Sequence, residues 1–169
     1  MRIDTADNMT ESLAALSILT AKNQASNALS AFHDRWKSDA NVTDKWFSVQ
    51  AGQTPPDKAI DVVAALTQHK DFVWKTPNRY RSLLGGFAFG NHAGFHRADG
   101  AGYALYTDWL LKLDPLNPQT TARMTTAFEA WTRYDEGRKA LMKTQLERIA
   151  GTENLSRDTT EMVTRMLNS

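Results

Sequence analysis

Cysteine is absent from the 169 residues, which excludes disulfides and thiolate zinc sites and fits a reducing compartment, so a cytoplasmic location is expected. Net charge is nearly absent as well. The 20 basic and 19 acidic residues leave +1, too little to attract phosphate backbones or anionic lipid, and neither nucleic acid nor a membrane surface is expected as a partner. Long apolar runs are missing. No segment approaches the ~18 apolar residues of a membrane span, and the polar opening MRIDTADNMTES lacks the apolar core of a signal peptide. Alternating β-branched residues are also lacking, so a sheet has no candidate strand.

What the chain does have is helical periodicity. Five Trp, seven Phe and four Tyr are spread from Phe32 to Tyr134, as expected of several elements sharing one interior. Thr10 or Asp7 can cap a helix to about Lys22 with Leu13, Leu16 and Leu19 on one stripe. Gln24 to Lys37 carries Ala28, Leu29, Phe32 and Trp36, and Asn41 to Gln50 carries Trp46, Phe47 and Val49 before Gly52. A further helix runs from Thr54-Pro55 through Ile60, Val63 and Leu66 to near His69 and Lys70. Beyond the central stretch, Ala98-Asp99-Gly100 leads into a helix with Tyr103, Tyr106, Leu110 and Leu113, closed by Asp114-Pro115. Pro118 to about Arg133, a segment that starts at Asp135 or a nearby residue, carries Leu141, Gln145, Leu146 and Ile149 on one stripe and ends at Gly151, and a last helix capped by Ser156 complete the chain. Thr54-Pro55, Thr76-Pro77 and Asn117-Pro118 repeat one capping device, about one and about two helix-plus-turn units apart. The expected fold is all-α, a superhelical array of antiparallel helix pairs of the ARM/HEAT solenoid kind, with about nine helices in a single domain over residues 1–169.

The densest stretch is TPNRYRSLLGGFAFGNHAGFH, residues 76–96. Thr76 is a suitable N-cap and Pro77 suits the first helical position, yet Arg79 and Arg81 follow at the positive end of the helix dipole. Each is disfavoured there by ~0.3 to 1 kcal/mol, so acidic side chains or an anionic ligand should compensate. A surface salt bridge is the plainer of those two readings. Gly85 and Gly86 would cost ~1 kcal/mol each inside an α-helix, and close helix packing is the expected return.

Self-sufficient chemistry is hard to find. His92 and His96 have the spacing of H-E-x-x-H, but Ala93 stands where the general-base Glu belongs. His33 and His69 lie far from that pair in sequence and have no visible third ligand, so neither a metal nor another cofactor is expected in this chain. GGFAFGN is neither a dinucleotide fingerprint nor a P-loop, and no Ser-His-Asp order or G-x-S-x-G elbow occurs. Arg133, Arg138, Lys139, Lys143 and Arg148 alternate with Asp135, Glu136 and Glu147, the pattern of a solvated helix face.

Several stretches in order, DNMTESLAAL, VTDKWFSVQA, TPNRYRSLLGGFAFGN, FHRADGAGY, NPQTTAR, RYDEGRKALM and ENLSRDTTEMV, resemble the C-terminal helical domain of bacterial aminopeptidase N. That family comprises zinc-dependent gluzincin aminopeptidases. The resemblance covers nearly the whole chain. It implies a domain excised from a longer enzyme, non-catalytic in itself, that closes over the catalytic domain of the same polypeptide and shapes the cavity for peptide substrates. The complete enzyme removes N-terminal residues using one zinc, but H-E-x-x-H with its distant Glu and the G-A-M-E-N segment are missing here. The resemblance further implies that Arg81, from N-R-x-R, and Arg123, from N-P-Q-x-x-x-R, face the cavity on the leaving-peptide side. A competing reading from composition is an independent helical-repeat scaffold that binds a protein partner on its concave face.

Overall fold

The structure, a computed structural model, describes residues 8–169. Every regular element among the described residues is helical. They gather into two compact units, one ending at Gly94 and one spanning Phe95–Ser169.

The first unit is built on α3. Before it come α1 (Met9–Ala21) and α2 (Ser26–Trp36); α3 itself is Ala40–Gln53, followed by α4 (Pro56–Leu66) and the four-residue α5 (Pro77–Tyr80). The chain then passes into a ten-residue π-helix, Arg81–Gly90. Val42, Trp46, Phe47 and Ala51 of α3 are buried, as are Leu83, Leu84 and Phe87 of the π-helix. Glycine permits the close approach between these two elements. A Cβ on Gly86 would lie 3.4 Å from both the Ala51 Cβ and the Ser48 Cα, so the expected packing role is met, although in a π-helix rather than the expected α-helix. Asn91 follows directly and clamps the end of α3, donating from Nδ2 to the carbonyls of Ala51 (3.0 Å) and Thr54 (2.8 Å) while its Oδ1 accepts from Gly94 N–H (2.9 Å).

Several helix ends differ from expectation, each because a neighbouring group captures the terminal backbone. Asn8 caps α1, its side chain accepting from Glu11 N–H at 2.9 Å; the alternative Asp7 lies outside the described residues. Asp39 caps α3 and so draws its start back to Ala40. Gly52 does not end α3, which continues to Gln53, where the Thr54 hydroxyl donates to the Gln50 carbonyl at 2.6 Å. Thr54 is thereby spent on the helix before it, and α4 starts without a side-chain cap. Thr76 likewise makes no capping hydrogen bond to α5, so of the three capping pairs only Asn117-Pro118 works through its side chain.

The short helix α6 (His92–Phe95) was not expected, and it brings the α-helical segments to ten among the described residues against the anticipated nine or so. The remaining elements are α7 (Ala101–Leu113), α8 (Pro118–Met124), α9 (Glu136–Ala150) and α10 (Arg157–Leu167). Gly100 precedes α7 at φ 72°, a left-handed position where a side chain would be strained and would also crowd Leu141. The helix expected to reach Arg133 stays α only to Met124 and then tightens into 3₁₀ turns at Thr125–Phe128 and Trp131–Arg133. Hydroxyls compete for its carbonyls: Thr125 Oγ1 donates to Ala122 O (2.6 Å) and Thr126 Oγ1 to Arg123 O (2.7 Å).

The core of the second unit is aromatic. Phe95 meets Tyr103, Tyr106 and Phe128 with ring centroids 5.2, 5.3 and 5.9 Å apart, and all four rings are fully buried. Met142, rather than the expected Leu141, joins Leu146 and Ile149 on the buried side of α9. Asp114, 2 % exposed, closes α7 and binds the start of α10, accepting from Ser156 N–H (2.7 Å), Ser156 Oγ (2.6 Å) and Thr159 Oγ1 (2.5 Å).

Candidate functional site

Arg81 belongs to the first unit. It opens the π-helix, is exposed, and donates from Nη2 to the Asn78 side-chain carbonyl at 2.7 Å. Its neighbour two residues earlier is placed quite differently. Arg79 is 11 % exposed, donates from Nε to Asp44 at 2.5 Å, bonds the Asp71 carbonyl through Nη1 and lies over the Phe47 ring at 5.2 Å. The cation at the helix start is thus compensated by an acidic side chain for Arg79, whereas Arg81 leans on a neutral amide with its charge toward solvent.

Arg123 belongs to the second unit and sits exposed on α8, which Asn117 caps by accepting from Thr120 N–H at 3.0 Å. It borders an open depression of about 480 Å³, shared with Gln119, Asp158, Glu161, Met162 and Arg165. Two guanidiniums and two carboxylates therefore line one concavity. Such a lining offers forked donors to a carboxylate or carbonyl and acceptors to an N–H, the complement of a peptide's groups. Glu161 is held from outside by Arg157 Nε at 2.9 Å, and Arg165 by Glu129 at 3.7 Å.

His96, half of the broken zinc spacing, is bonded on both ring nitrogens: Nδ1 is 2.7 Å from the Tyr103 hydroxyl and Nε2 is 2.9 Å from that of Tyr134. A neutral imidazole satisfies both by donating to one hydroxyl and accepting from the other. Burial pushes the Tyr103 phenol up to about 12 and raises that of Tyr134, so both hydroxyls stay protonated partners. Arg138 secures the same corner by donating to the His96 carbonyl at 2.6 Å. His96 is a packing residue here, and His92, at the start of α6, is exposed.

The first unit also assembles a group that the sequence does not announce. His33, from the last turn of α2, meets His69 and Asp71 from the loop after α4, with one potential ligand atom of each within 4.8 Å of the others. His33 Nε2 is 2.7 Å from Asp71 Oδ2, His69 Nδ1 is 3.9 Å from the same oxygen, and the Asp71 N–H donates to His69 Nδ1 at 3.2 Å. Trp46 packs against both imidazoles at 4.8 and 5.1 Å. Burial holds the His69 pKa below its ordinary value, outweighing the attraction of Asp71. Burial by itself would raise the Asp71 carboxyl, but the hydrogen bond from His33 and the nearby positive charges carry it below. Asp71 is the residue that sequence reasoning missed; its only local signal is His69-Lys70-Asp71, which acquires meaning once His33 is brought to it.

On α9 the alternating charges pair as expected of a solvated face: Arg138 with Asp135 at 2.8 Å, Lys139 with Glu136 at 3.5 Å and Lys143 with Glu147 at 3.8 Å. Among the described residues no helix is long and apolar enough to cross a membrane.

Comparison with known proteins gives one consistent answer. Residues 1–168 match the model of a domain of unknown function with ARM repeats, DUF3458_C. The chain is 40 % identical over 164 residues to aminopeptidase N of Haemophilus influenzae and 42 % identical over 164 residues to aminopeptidase N of Caulobacter vibrioides. Each alignment takes in 96 % of this chain and 19 % of the relative, so the chain spans about a fifth of the length of these curated relatives. Among solved structures, aminopeptidase A of Legionella pneumophila in complex with aspartic acid superimposes with a TM-score of 0.90 at 37 % identity, over 96 % of this chain and 19 % of that one.

Proposed function

We propose, from the premise that this chain belongs to the DUF3458_C family of ARM-repeat domains, that it is the C-terminal helical domain of a zinc metallo-aminopeptidase and shapes that enzyme's peptide cavity. The observation that carries this reading is the agreement of sequence and fold: 96 % of the chain matches aminopeptidases at about 40 % identity, and the fold superimposes on a fifth of an aminopeptidase with a TM-score of 0.90. The complete protein would remove N-terminal residues from peptides. Its partners in that work are the catalytic domain of the same polypeptide and the peptide itself, in the cytoplasm.

This chain carries neither H-E-x-x-H nor G-A-M-E-N, so its residues do not fit the catalytic zinc and no step through that ion falls to them. Their contribution is to bind and orient. Arg81 and Arg123 are exposed guanidiniums on helical segments, and each can donate to the carbonyls or terminal carboxylate of a peptide beyond the scissile bond. The mixed lining beside Arg123 supports a peptide rather than a phosphorylated ligand, because Asp158 and Glu161 would repel dense negative charge.

The purified chain, offered aminoacyl-anilides with and without added zinc, is expected to release no product. Robust zinc-dependent turnover would overturn the non-catalytic assignment.

A further inference from the structure

We infer that His33, His69 and Asp71 form a binding site for a divalent transition ion of the zinc type, through His33 Nε2, His69 Nδ1 and an Asp71 carboxylate oxygen, with a fourth position open to solvent. This departs from the sequence-based expectation of no metal in the chain. The three residues come from two places, the last turn of α2 and the loop between α4 and α5, and packing alone brings them together.

The geometry is close to what such an ion requires. Tetrahedral coordination at ~2.0 to 2.2 Å separates ligand atoms by ~3.3 Å. Around Asp71 Oδ2 the distances are 2.7 Å to His33 Nε2 and 3.9 Å to His69 Nδ1, which straddle that value. The two imidazole nitrogens, at most 4.8 Å apart, have to draw in by up to ~1.5 Å. Two imidazoles and one carboxylate are a donor set that suits zinc and its neighbours better than calcium or magnesium.

Two features separate this arrangement from a simple hydrogen-bonded tie. A tie needs only His33 and Asp71. His69 adds a nitrogen that already accepts the Asp71 N–H and is therefore unprotonated, and it lies 3.9 Å from the carboxylate oxygen, so two acceptors stand near each other. A cation between them resolves the conflict. On binding, the ion takes the place of the proton that His33 Nε2 donates to Asp71; His33 carries its proton on Nδ1 instead, and the Asp71 N–H exchanges its long bond to His69 for water.

The surroundings are prepared for the role. Trp46 flanks both imidazoles and is itself fixed by donating from Nε1 to the Leu29 carbonyl at 2.9 Å, while Phe47 meets His69 edge-on at 5.7 Å. Arg79, anchored on Asp44, donates to the Asp71 carbonyl and holds the loop backbone. The His69 and Asp71 side chains are 28 % and 32 % exposed, which leaves a path for the ion to enter. Once bound, the ion fastens the end of α2 to the loop before α5.

The test uses the chain stripped with a chelator and titrated with zinc chloride alone. Calorimetry is expected to show saturable binding of about one zinc per chain, weakened about tenfold or more by Asp71→Asn and by His69→Gln. In the unaltered chain, the imidazole proton resonances of His33 and His69 should shift while those of His92 and His96 stay in place, a readout independent of whether the variants fold. Absence of saturable binding, binding that survives both substitutions, or a response confined to His92 and His96 would overturn the site.

Discussion

Both units bury aromatic side chains, but each has a different point of closest packing. In the first, backbones approach one another: Gly86 of the π-helix faces Ala51 and Ser48 of α3, and at Gly94 a Cβ would lie 2.7 Å from the Ala59 Cβ. In the second, large side chains fill the space, with Phe95, Tyr103, Tyr106 and Phe128 in mutual contact and a buried carboxylate, Asp114, binding two helices. A backbone-packed unit has no spare volume for a methyl group, whereas one sewn by a buried carboxylate depends on a single acceptor. That contrast can be broken experimentally.

The largest effect is expected at Asp114. Asp114→Ala strands the Ser156 N–H and the hydroxyls of Ser156 and Thr159, at a cost of about 3 kcal/mol or more, with Asp114→Asn losing less because one acceptor oxygen remains. Denaturant midpoints measure both, and a loss under about 1 kcal/mol for the alanine variant would remove Asp114 from the comparison. Next comes Gly94→Ala, whose added methyl meets Ala59 and the Asn91 side chain; about 1 to 3 kcal/mol should be lost. A neutral result there would mean that the first unit is less tightly packed than its distances imply.

Capping gives a smaller contrast. Asn117 bonds the start of α8 and Thr76 does not bond the start of α5, so Asn117→Ala should cost about 1 kcal/mol and Thr76→Ala only a few tenths. Equal losses would restore Thr76 as a cap. The smallest effect is in the acid range of the second unit. Asp135 is held below its ordinary 3.8 by the Arg138 N–H and then its guanidinium, and Asp99 by the Arg97 side chain and then the Ala101 N–H. A folded-state value below the unfolded one means a contribution fully present above 3.8 and lost as pH falls through the depressed value. The stability deficit of Asp135→Asn should therefore be visible at neutral pH and shrink in acid; a deficit independent of pH would contradict this.

The same contrast explains what could be read in advance. Caps at Asn117 and Ser156 and the stop at Gly151 were legible because each depends on groups within a few residues. The π-helix was not, because Gly86 acquires its meaning only from Ser48 and Ala51 on another helix. Thr54 misled for a related reason: a hydroxyl that could open one helix was taken by the carbonyl closing the previous one. At the candidate sites, compensation of a cation at the start of the central helix was foreseeable, but that Asp44 would serve Arg79 was not, since 35 positions separate them. Convergence of His33 on His69 and Asp71 has the same character, with chemistry set by tertiary packing and no local spacing to betray it.

The central claim is that Arg81 and Arg123 act on the peptide of the complete aminopeptidase. The direct measurement is kcat/KM of the full-length enzyme carrying Arg81→Ala or Arg123→Ala, on tri- and tetrapeptides and, in parallel, on single-residue anilides. A lost charge-assisted contact of ~1.5 to 3 kcal/mol predicts a drop of roughly tenfold or more on the peptides and little change on the anilides, which have no residues beyond the scissile bond. Equal losses on both substrate types, together with a lowered melting temperature, would show that the two arginines only support the helices and would contradict the assignment.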